Sequence, residues 1–579
     1  MVSRKITYCV IAGVVTIKLF TTLKKKWISY KLHKKALKKR AERDAKIPKI
    51  PEVEESKQEF ILALSATELA REIREGRISS VEATATYISR SYKLGRQFNL
   101  TTEELFEEAL ELAYLRDLQL KENPESIGKL HGVPISFKDI FSQRNCTTSG
   151  GCAWRLDFPD TEDSFVVQTL KDEGAIPFVR TNVPQGIMAI ESANEIYGRS
   201  DNPWDPDFTV GGSSGGEAGL IACRGSPIGI GNDIGGSVRI PASFCGVYGF
   251  KITPDRLSSK GVRNPHTLGL NPFYFQIRGA CGPIGKCVDD LKLILEIWWQ
   301  EKWSKYDFNY CLLPFSTQLY KEIYEKNSLR IGYFVDLKYF ESCPALKRGL
   351  KECKEALEKQ GHTLIEFKFP EIDQGGVLFT KVLQTCGSRF IEDYLNGETP
   401  ESFYNVLFFL NNHPIWKRLI LLLLKVTKNE RLHELMSLKS NISASEYIDL
   451  YREITEFTRK FTDYWLSLNL DVVISPSFGS VALPHRESIK GIAGLAYSSL
   501  WNVIGYPAGV VPIGFVHEGE TNYVSKHNDL ITSRAREITK NTEGLPISVH
   551  VASLPYRDEI ALGVMRKIED IFKFHRHPI

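Results

Sequence analysis

Two kinds of hydrophobic periodicity divide the chain. A proline-punctuated stretch, Ile47-Pro-Lys-Ile-Pro-Glu52, reads as a linker. After it, apolar residues recur at helical spacing. Ser65-Ala-Thr-Glu-Leu-Ala-Arg-Glu-Ile predicts a helix capped by Ser65 or Thr67, with Leu69 and Ile73 at apolar spacing. Ser80-Val-Glu-Ala-Thr-Ala-Thr-Tyr-Ile predicts a second, capped by Ser80, with Val81, Ala85 and Ile88 on one face. From about residue 130 the pattern changes. Short apolar runs appear: Val133-Pro-Ile-Ser-Phe, Ala175-Ile-Pro-Phe-Val, Ile331-Gly-Tyr-Phe-Val and Val472-Val-Ile-Ser-Pro. Helical stretches separate them. That alternation predicts an α/β body, a mixed sheet covered by helices. There is no internal repeat and no low-complexity tract.

Two segments stand apart. The first is an apolar run from Ile6 to Ile17, then Lys18, then Leu19 to Leu23. As a helix, Ile6–Leu23 would reach about 27 Å, enough for a thin bilayer. Lys18, near one end, could snorkel. No small-x-small cleavage site follows. Instead come Lys24-Lys25-Lys26, Lys31, Lys34, Lys35, Lys38, Lys39, Arg40 and Arg43. The expectation is an uncleaved membrane anchor in residues 1–50, its basic flank and the body in the cytosol. The alternative is a peripheral basic helix lying on anionic lipid. The second segment spans about 404–426: Tyr404-Asn-Val-Leu-Phe-Phe-Leu, a break at Asn411-Asn-His-Pro, then Ile415 to Val426. The latter run reaches about 18 Å, too short to cross a bilayer. A core helix would account for its apolarity. Trp416 with Arg418 and Lys425 fits an interfacial helix better.

Charge sharpens this division. The formal net charge of +4 hides 15 Lys or Arg against two acids in the first 50 residues, so the remainder carries −9. An acidic body has no electrostatic footprint for nucleic acid. The 11 Cys form no Cys-x-x-Cys pair, and the 12 His no His-x-x-x-His pair. Buried free thiols in a reducing compartment follow, with no disulfide framework, no metal and no cofactor indicated. The 579 residues alone would suggest three or four domains of about 150. Yet no second linker interrupts the body, which favours one large domain.

The chemistry is concentrated in 211–246. Gly211-Gly-Ser-Ser-Gly-Gly is followed by Gly229-Ile-Gly-Asn-Asp-Ile-Gly-Gly-Ser-Val-Arg-Ile-Pro. A phosphate loop is disfavoured, because no Gly-Lys-Ser/Thr follows and Gly-x-Gly-x-x-Gly is absent. A hydrolase elbow at Gly211–Gly215 would need a preceding strand and a later His. Asp207-Phe-Thr-Val is a poor strand, and His485 and His550 are the candidates for the base. A two-serine site fits better. Gly235 and Gly236 leave the amides of Ile234, Gly235, Gly236 and Ser237 open as a donor nest for an oxyanion. Ser237 needs a base. Lys138, just after an apolar strand, would become one if burial lowered its pKa. Standing alone, Lys138 would more simply pair with Asp139.

Gly-Gly-Ser-Ser-Gly-Gly, then Asp233-Ile-Gly-Gly-Ser-Val-Arg-Ile-Pro, with the upstream Gly132-Val-Pro-Ile-Ser-Phe-Lys138, together resemble the amidase signature family. Thr181-Asn-Val-Pro-Gln, Asn202-Pro-Trp, Tyr506-Pro-Ala-Gly-Val-Val-Pro and Gly544-Leu-Pro-Ile extend the resemblance over about 65–575. It implies one domain with a many-stranded mixed sheet between helices. It also implies Ser237 as nucleophile, Ser213 as bridging serine and Lys138 as base, with Ser214, Asp233 and Arg239 in support. Within the family, the N-terminal run and the 404–426 run resemble members that hydrolyse fatty acid amides. That implies N-acylethanolamines or primary fatty amides as substrates, an endomembrane location and a homodimer. Where such members carry an aromatic beside the acyl channel, this chain has Met188 next to Ile187. Their proline-rich stretch is reduced to Leu313-Pro-Phe, and an aromatic expected near 531 is Ile531. These departures bear on chain-length preference and docking. Two alternatives stay open: a general amidase or amidotransferase-type subunit acting on small polar amides, and a catalytically silent membrane adaptor.

Overall fold

The computed structural model describes residues 2–263, 277, 279–385, 395–400 and 413–579, with side chains from residue 23 onward except Lys25. Helix α1 (Val2–Ala45) is continuous. The Ile47–Glu52 linker is coil. Helix α2 (Ala66–Arg74) is capped as expected. Ser65 Oγ accepts from Glu68 N at 3.1 Å, and the Glu68 carboxylate accepts from Ser65 N at 2.9 Å. Helix α3 (Ser80–Arg90) is capped by Ser79, one residue earlier than expected. The reason is reciprocity. Ser79 has Glu82 three residues on to close a capping box, whereas Ser80 has Ala83.

Among the described residues the body is built on one sheet of eleven strands. In chain order the strands are β1 (Thr101–Glu104), β2 (Pro134–Lys138), β3 (Ile176–Thr181), the small hairpin β4 (Ala193–Asn194) and β5 (Gly198–Arg199), β6 (Ile228–Asp233), β7 (Tyr248–Lys251), β8 (Ala280–Gly285), β9 (Arg330–Tyr333), β10 (Thr363–Glu366), β11 (Val472–Pro476), β12 (Ala508–Phe515) and β13 (Pro546–Ala552). The sheet order is β1-β3-β2-β6-β8-β7-β12-β13-β11-β9-β10, with β4 and β5 forming a separate pair. Strands β3, β2 and β6 run parallel, as do β11, β9 and β10. The other pairings are antiparallel, so the sheet is mixed.

Helices cover both faces. Along β11, Val472 and Ile474 pack into one apolar cluster and Val473 into the other. A strand buried on both sides reads as a continuous apolar run, which is why these strands were visible without alternation. The helices that matter below are α4 (Gly215–Ala222), α5 (Arg239–Cys245), α6 (Gln374–Gln384), α7 (Pro414–Val426) and α8 (Ala496–Val503).

The C-terminal half of α1 is docked, not free. Ala36 is buried with Ala153, Ile196 and Tyr197. Arg40 donates to Ile196 O at 2.7 Å and Glu195 O at 2.8 Å, and Arg43 donates to Thr101 O at 2.7 Å. Lys39 pairs with Glu103 at 2.6 Å. The basic flank therefore packs in part on the body. Among the described residues no helix is long and apolar enough to cross a membrane. Ile6–Leu23, where the spanning anchor is expected, is helical in its backbone, and its side chains up to Thr22 lie outside the described residues.

Of the 404–426 element, residues 404–412 lie outside the described residues. Helix α7 is not a core helix. Leu424 alone is buried along it. Ile415, Trp416, Leu419, Leu422, Leu423 and Val426 are exposed, as are Arg418 and Lys425.

Candidate active site

Strand β2 lies between β3 and β6, so its end is central. Its last residue, Lys138, is fully buried. The Gly211–Ser214 loop leads into α4, and the Gly212–Ser213 peptide is cis. This loop brings Ser213 over the end of β2. Lys138 Nζ donates to Ser213 Oγ at 2.7 Å and to Asn232 O at 3.1 Å. Burial pushes the Lys138 pKa down from 10.5 to about 7, against the opposing pull of Asp233, Cys281 and Glu217. The amine is thus available as a base near neutral pH. The simpler pairing of Lys138 with Asp139 is not formed. Asp139 is taken by Arg180 at 3.0 Å and by the Ser149 hydroxyl.

The second loop, 234–238, follows β6. Ser214 N donates to Ser237 O at 3.0 Å, so the two loops are tied together. Ser237 keeps partial exposure while Ser213 is buried, as a nucleophile and an internal relay would require. No hydrogen bond joins the two hydroxyls among the described residues.

Asp233 and Arg239 organise this turn. Asp233 accepts from Gly236 N at 2.8 Å and Val238 N at 3.1 Å. It also accepts from Arg239 Nε and Nη2, both at 2.9 Å. Burial raises the Asp233 pKa, but the Arg239 charge and hydrogen bonds outweigh it and hold the carboxylate well below its usual range. Arg239 reaches on to Asn502 Oδ1 at 2.6 Å and Ser498 O at 3.0 Å, both on α8, and lies 3.1 Å from His550 Nε2. His550 is therefore part of the turn's support. His485 pairs with Glu191 at 2.9 Å. Neither histidine reaches the serines, so neither base candidate of the elbow reading is in place.

The oxyanion nest is narrower than expected. Of the four amides at 234–237, that of Gly236 already donates to Asp233. Those of Ile234, Gly235 and Ser237 meet no acceptor among the described residues. Gly236 has φ of +126°, a conformation that excludes other residues, and a Cβ there would lie 2.6 Å from Ser498 Oγ. A Cβ at Gly235 would meet the Phe379 ring of α6 at 2.6 Å.

Ile187 is buried with φ of +63°, unusual for a β-branched residue. Met188 and Ile234 are packed against the apolar cluster containing Phe379 and Cys152. Met188 thus packs on the same apolar cluster as Ile234 of the nest, whereas Ile187 belongs to the other cluster. Next to them, Glu398 accepts from Trp154 N at 2.7 Å and Gln185 Nε2 at 3.1 Å.

Sequence reasoning missed Glu217 and Asn502. Glu217 left a signal: a single acid in the otherwise small and apolar run Gly215–Ala222. Asn502 left none, being an ordinary polar residue far from the motif.

A serine held by a buried lysine of lowered pKa, beside a nucleophile candidate and open amides, suits acyl transfer. The family comparison agrees. The amidase family model matches residues 82–562, and the chain belongs to the amidase signature family of hydrolases. Over 527 residues it is 32% identical to "Fatty-acid amide hydrolase 1" of Sus scrofa, covering 90% of this chain and 88% of that one. It is 31% identical to "Fatty acid amide hydrolase 1" of Caenorhabditis elegans over 531 residues, 89% of each. An acetamidase of Aspergillus oryzae is 29% identical over 510 residues, 86% of this chain and 88% of that one. A solved fatty acid amide hydrolase superposes with a TM-score of 0.80 over 94% of this chain and 96% of that one, at 24% identity.

Proposed function

We propose that this amidase hydrolyses fatty acid amides, N-acylethanolamines and primary fatty amides, at a membrane surface. Ser237 is the nucleophile, Ser213 the bridge and Lys138 the base. The observation that carries the catalytic part is the 2.7 Å contact between buried Lys138 and Ser213. Neutral Lys138 takes a proton from Ser213 as Ser213 takes one from Ser237. Ser237 attacks the amide carbonyl, and the free amides of Ile234, Gly235 and Ser237 stabilise the oxyanion. The proton returns through Ser213 to the departing amine. Water then attacks the acyl-enzyme by the same relay, releasing the fatty acid. The open Ser213–Ser237 link closes when substrate seats, since catalytic hydrogen bonds tighten in the complex.

The lipid part is supported by the exposed apolar face of α7. Trp416 is 56% and Val426 71% exposed, flanked by Arg418 and Lys425. A monomer rarely leaves so contiguous an apolar surface in water. An interfacial helix buries it in the headgroup region, placing the enzyme where lipid amides reside. The two relatives named as fatty acid amide hydrolases point the same way.

The test compares an N-acylethanolamine with a short polar amide, for wild type and Ser237→Ala. The lipid amide should be strongly preferred, and Ser237→Ala should abolish turnover and fluorophosphonate labelling. Preference for the short amide would establish the general-amidase reading. Retained turnover in Ser237→Ala would remove the assigned nucleophile.

A further inference from the structure

A buried carboxyl beneath the site is not used by the proton relay. Glu217 lies on the first turn of α4, four residues after Ser213, and is fully buried. Its two oxygens hold two different strands. Ser136 of β2 donates to Oε2 at 2.6 Å, and Thr181 of β3 donates to Oε1 at 2.8 Å. Ser136 is two residues before Lys138, and Thr181 is the register partner of Lys138 across the β2–β3 ladder. The third strand makes room. A Cβ on Gly229 of β6 would lie 1.8 Å from Glu217 Oε2 and 2.6 Å from Ser136 Oγ. The carboxyl therefore sits in a niche formed by three adjacent strands, immediately below the helix that begins at the catalytic loop.

We propose that Glu217 is a positioning residue of this active site. Its carboxyl fastens the first turn of α4 to β2 and β3, and so fixes Ser213 at hydrogen-bonding distance from Lys138. This rests on the serine–serine–lysine reading above. Lys138 and Ser213 belong to elements with no covalent connection for 75 residues, so their contact depends on how α4 is seated. The two hydroxyl contacts are the polar ties that seat it directly over β2. Burial pushes the Glu217 pKa up to about 8, against the hydrogen bonds and the Lys138 charge. The raised pKa shows that the niche does not favour a charge, so an isosteric neutral amide should replace the carboxyl in this task. A misplacement of 1 Å in such a constellation costs about 100-fold in rate.

The experiment compares full-length Glu217→Gln, Glu217→Ala, and the pair Ser136→Ala and Thr181→Val, which remove the same contacts from the other side. The readouts are kcat and KM for an amide substrate and the rate of fluorophosphonate labelling. Glu217→Ala should lose at least 10-fold in kcat and in labelling rate, with KM within about twofold. Glu217→Gln should recover most of both. The strand variants should each lose part of kcat, again without a change in KM, and they serve if Glu217→Ala does not fold. Folded Glu217→Ala or strand variants with wild-type kcat and labelling would overturn the proposal. So would equal losses in Glu217→Gln and Glu217→Ala. Failure of the wild type itself to label at Ser237 would instead overturn the catalytic reading, so the two failures are distinct.

Discussion

Replacing Lys138 by Met should inactivate the enzyme and, below about pH 9, stabilise it. Met fills nearly the same volume without a charge, so packing changes little. The magnitude follows from the burial of the amine. Lys138 falls from 10.5 to about 7 on folding, so at pH 8 the unfolded chain carries a proton there that the folded chain does not. At about 1.4 kcal/mol per pH unit, this costs the wild type about 3 kcal/mol at pH 8. Met removes that cost. It also leaves Ser213 Oγ and Asn232 O without their partner, a loss of about 1 kcal/mol each. The net gain is about 1 kcal/mol at pH 8 and about 2–3 kcal/mol at pH 7. The sign then reverses. Between pH 7 and 10.5 the unfolded state binds more protons, so wild-type stability rises with pH. Met has nothing to titrate and does not follow. Near pH 10 the burial cost has almost vanished, and the variant should be less stable by about 1 kcal/mol. Paired thermal melts of wild type and Lys138→Met across pH 7–10 measure this. With the entropy of unfolding expected for a chain this long, the difference is about 1–3 °C at its largest. A difference that does not vary with pH would refute a neutral buried Lys138.

The chemistry makes its own demands. Lys138→Ala should lose far more amide than ester hydrolysis, because an amine needs the returned proton to depart and an alkoxide needs it less. Parallel kinetics on a matched amide and ester check this, and equal losses would make Lys138 structural. Arg239→Met strands the buried Asp233 carboxylate and should destabilise by about 3–5 kcal/mol, read as a lower melting temperature and poorer yield. On α7, Trp416→Ala with Leu423→Glu should weaken binding to lipid vesicles and lower turnover of vesicle-borne amides by about 10-fold. Turnover of a soluble short amide should stay unchanged, since both side chains are exposed.

Strands β2, β3, β9 and β11 were legible because burial turns them into short unbroken apolar runs, and Val472–Pro476 was found end to end, whereas a half-exposed strand such as β10 left no such run. The three catalytic candidates were legible for a different reason: chemistry fixes their motif. The geometry around them was not. Arg180, which takes Asp139 from Lys138, comes from β3, and Asn502, which braces Arg239, comes from α8. No local pattern announces contacts between elements so far apart in sequence. The loss of Gly236 N from the nest depends on a backbone conformation with φ of +126°. The glycine permits that conformation without declaring it.

The N-terminal charge shows how a correct composition can still mislead about placement. Fifteen basic residues in the first 50 suggested a flank facing lipid throughout. In the structure Ile28, Leu32, Lys35, Ala36, Lys39, Arg40 and Arg43 form one stripe of α1 turned toward the body. The stripe is mostly polar, so hydrophobic periodicity could not reveal it. Its cations are satisfied by acids and carbonyls of the body: Lys35 by Asp157, Lys39 by Glu103, Arg40 and Arg43 by backbone oxygens. An acidic body thus draws in part of the basic segment. The lysines on the opposite face, Lys24, Lys26, Lys31, Lys34 and Lys38, remain exposed. On the proposed membrane-surface function, those five would supply the segment's attraction to anionic lipid, at about 1 kcal/mol per lysine. The same helix packs Ile28 against Gly397 and bonds Ser29 to Thr399. Those residues flank Glu398, which holds Gln185 and Trp154 beside Ile187 and Met188. The docked face of α1 is therefore linked, through residues 397–399, to Trp154 and to Gln185, two residues before Ile187. The helix whose outer face carries the remaining positive charge is thus fixed, through its inner face, to the part of the body in which the proposed function would seat the acyl chain.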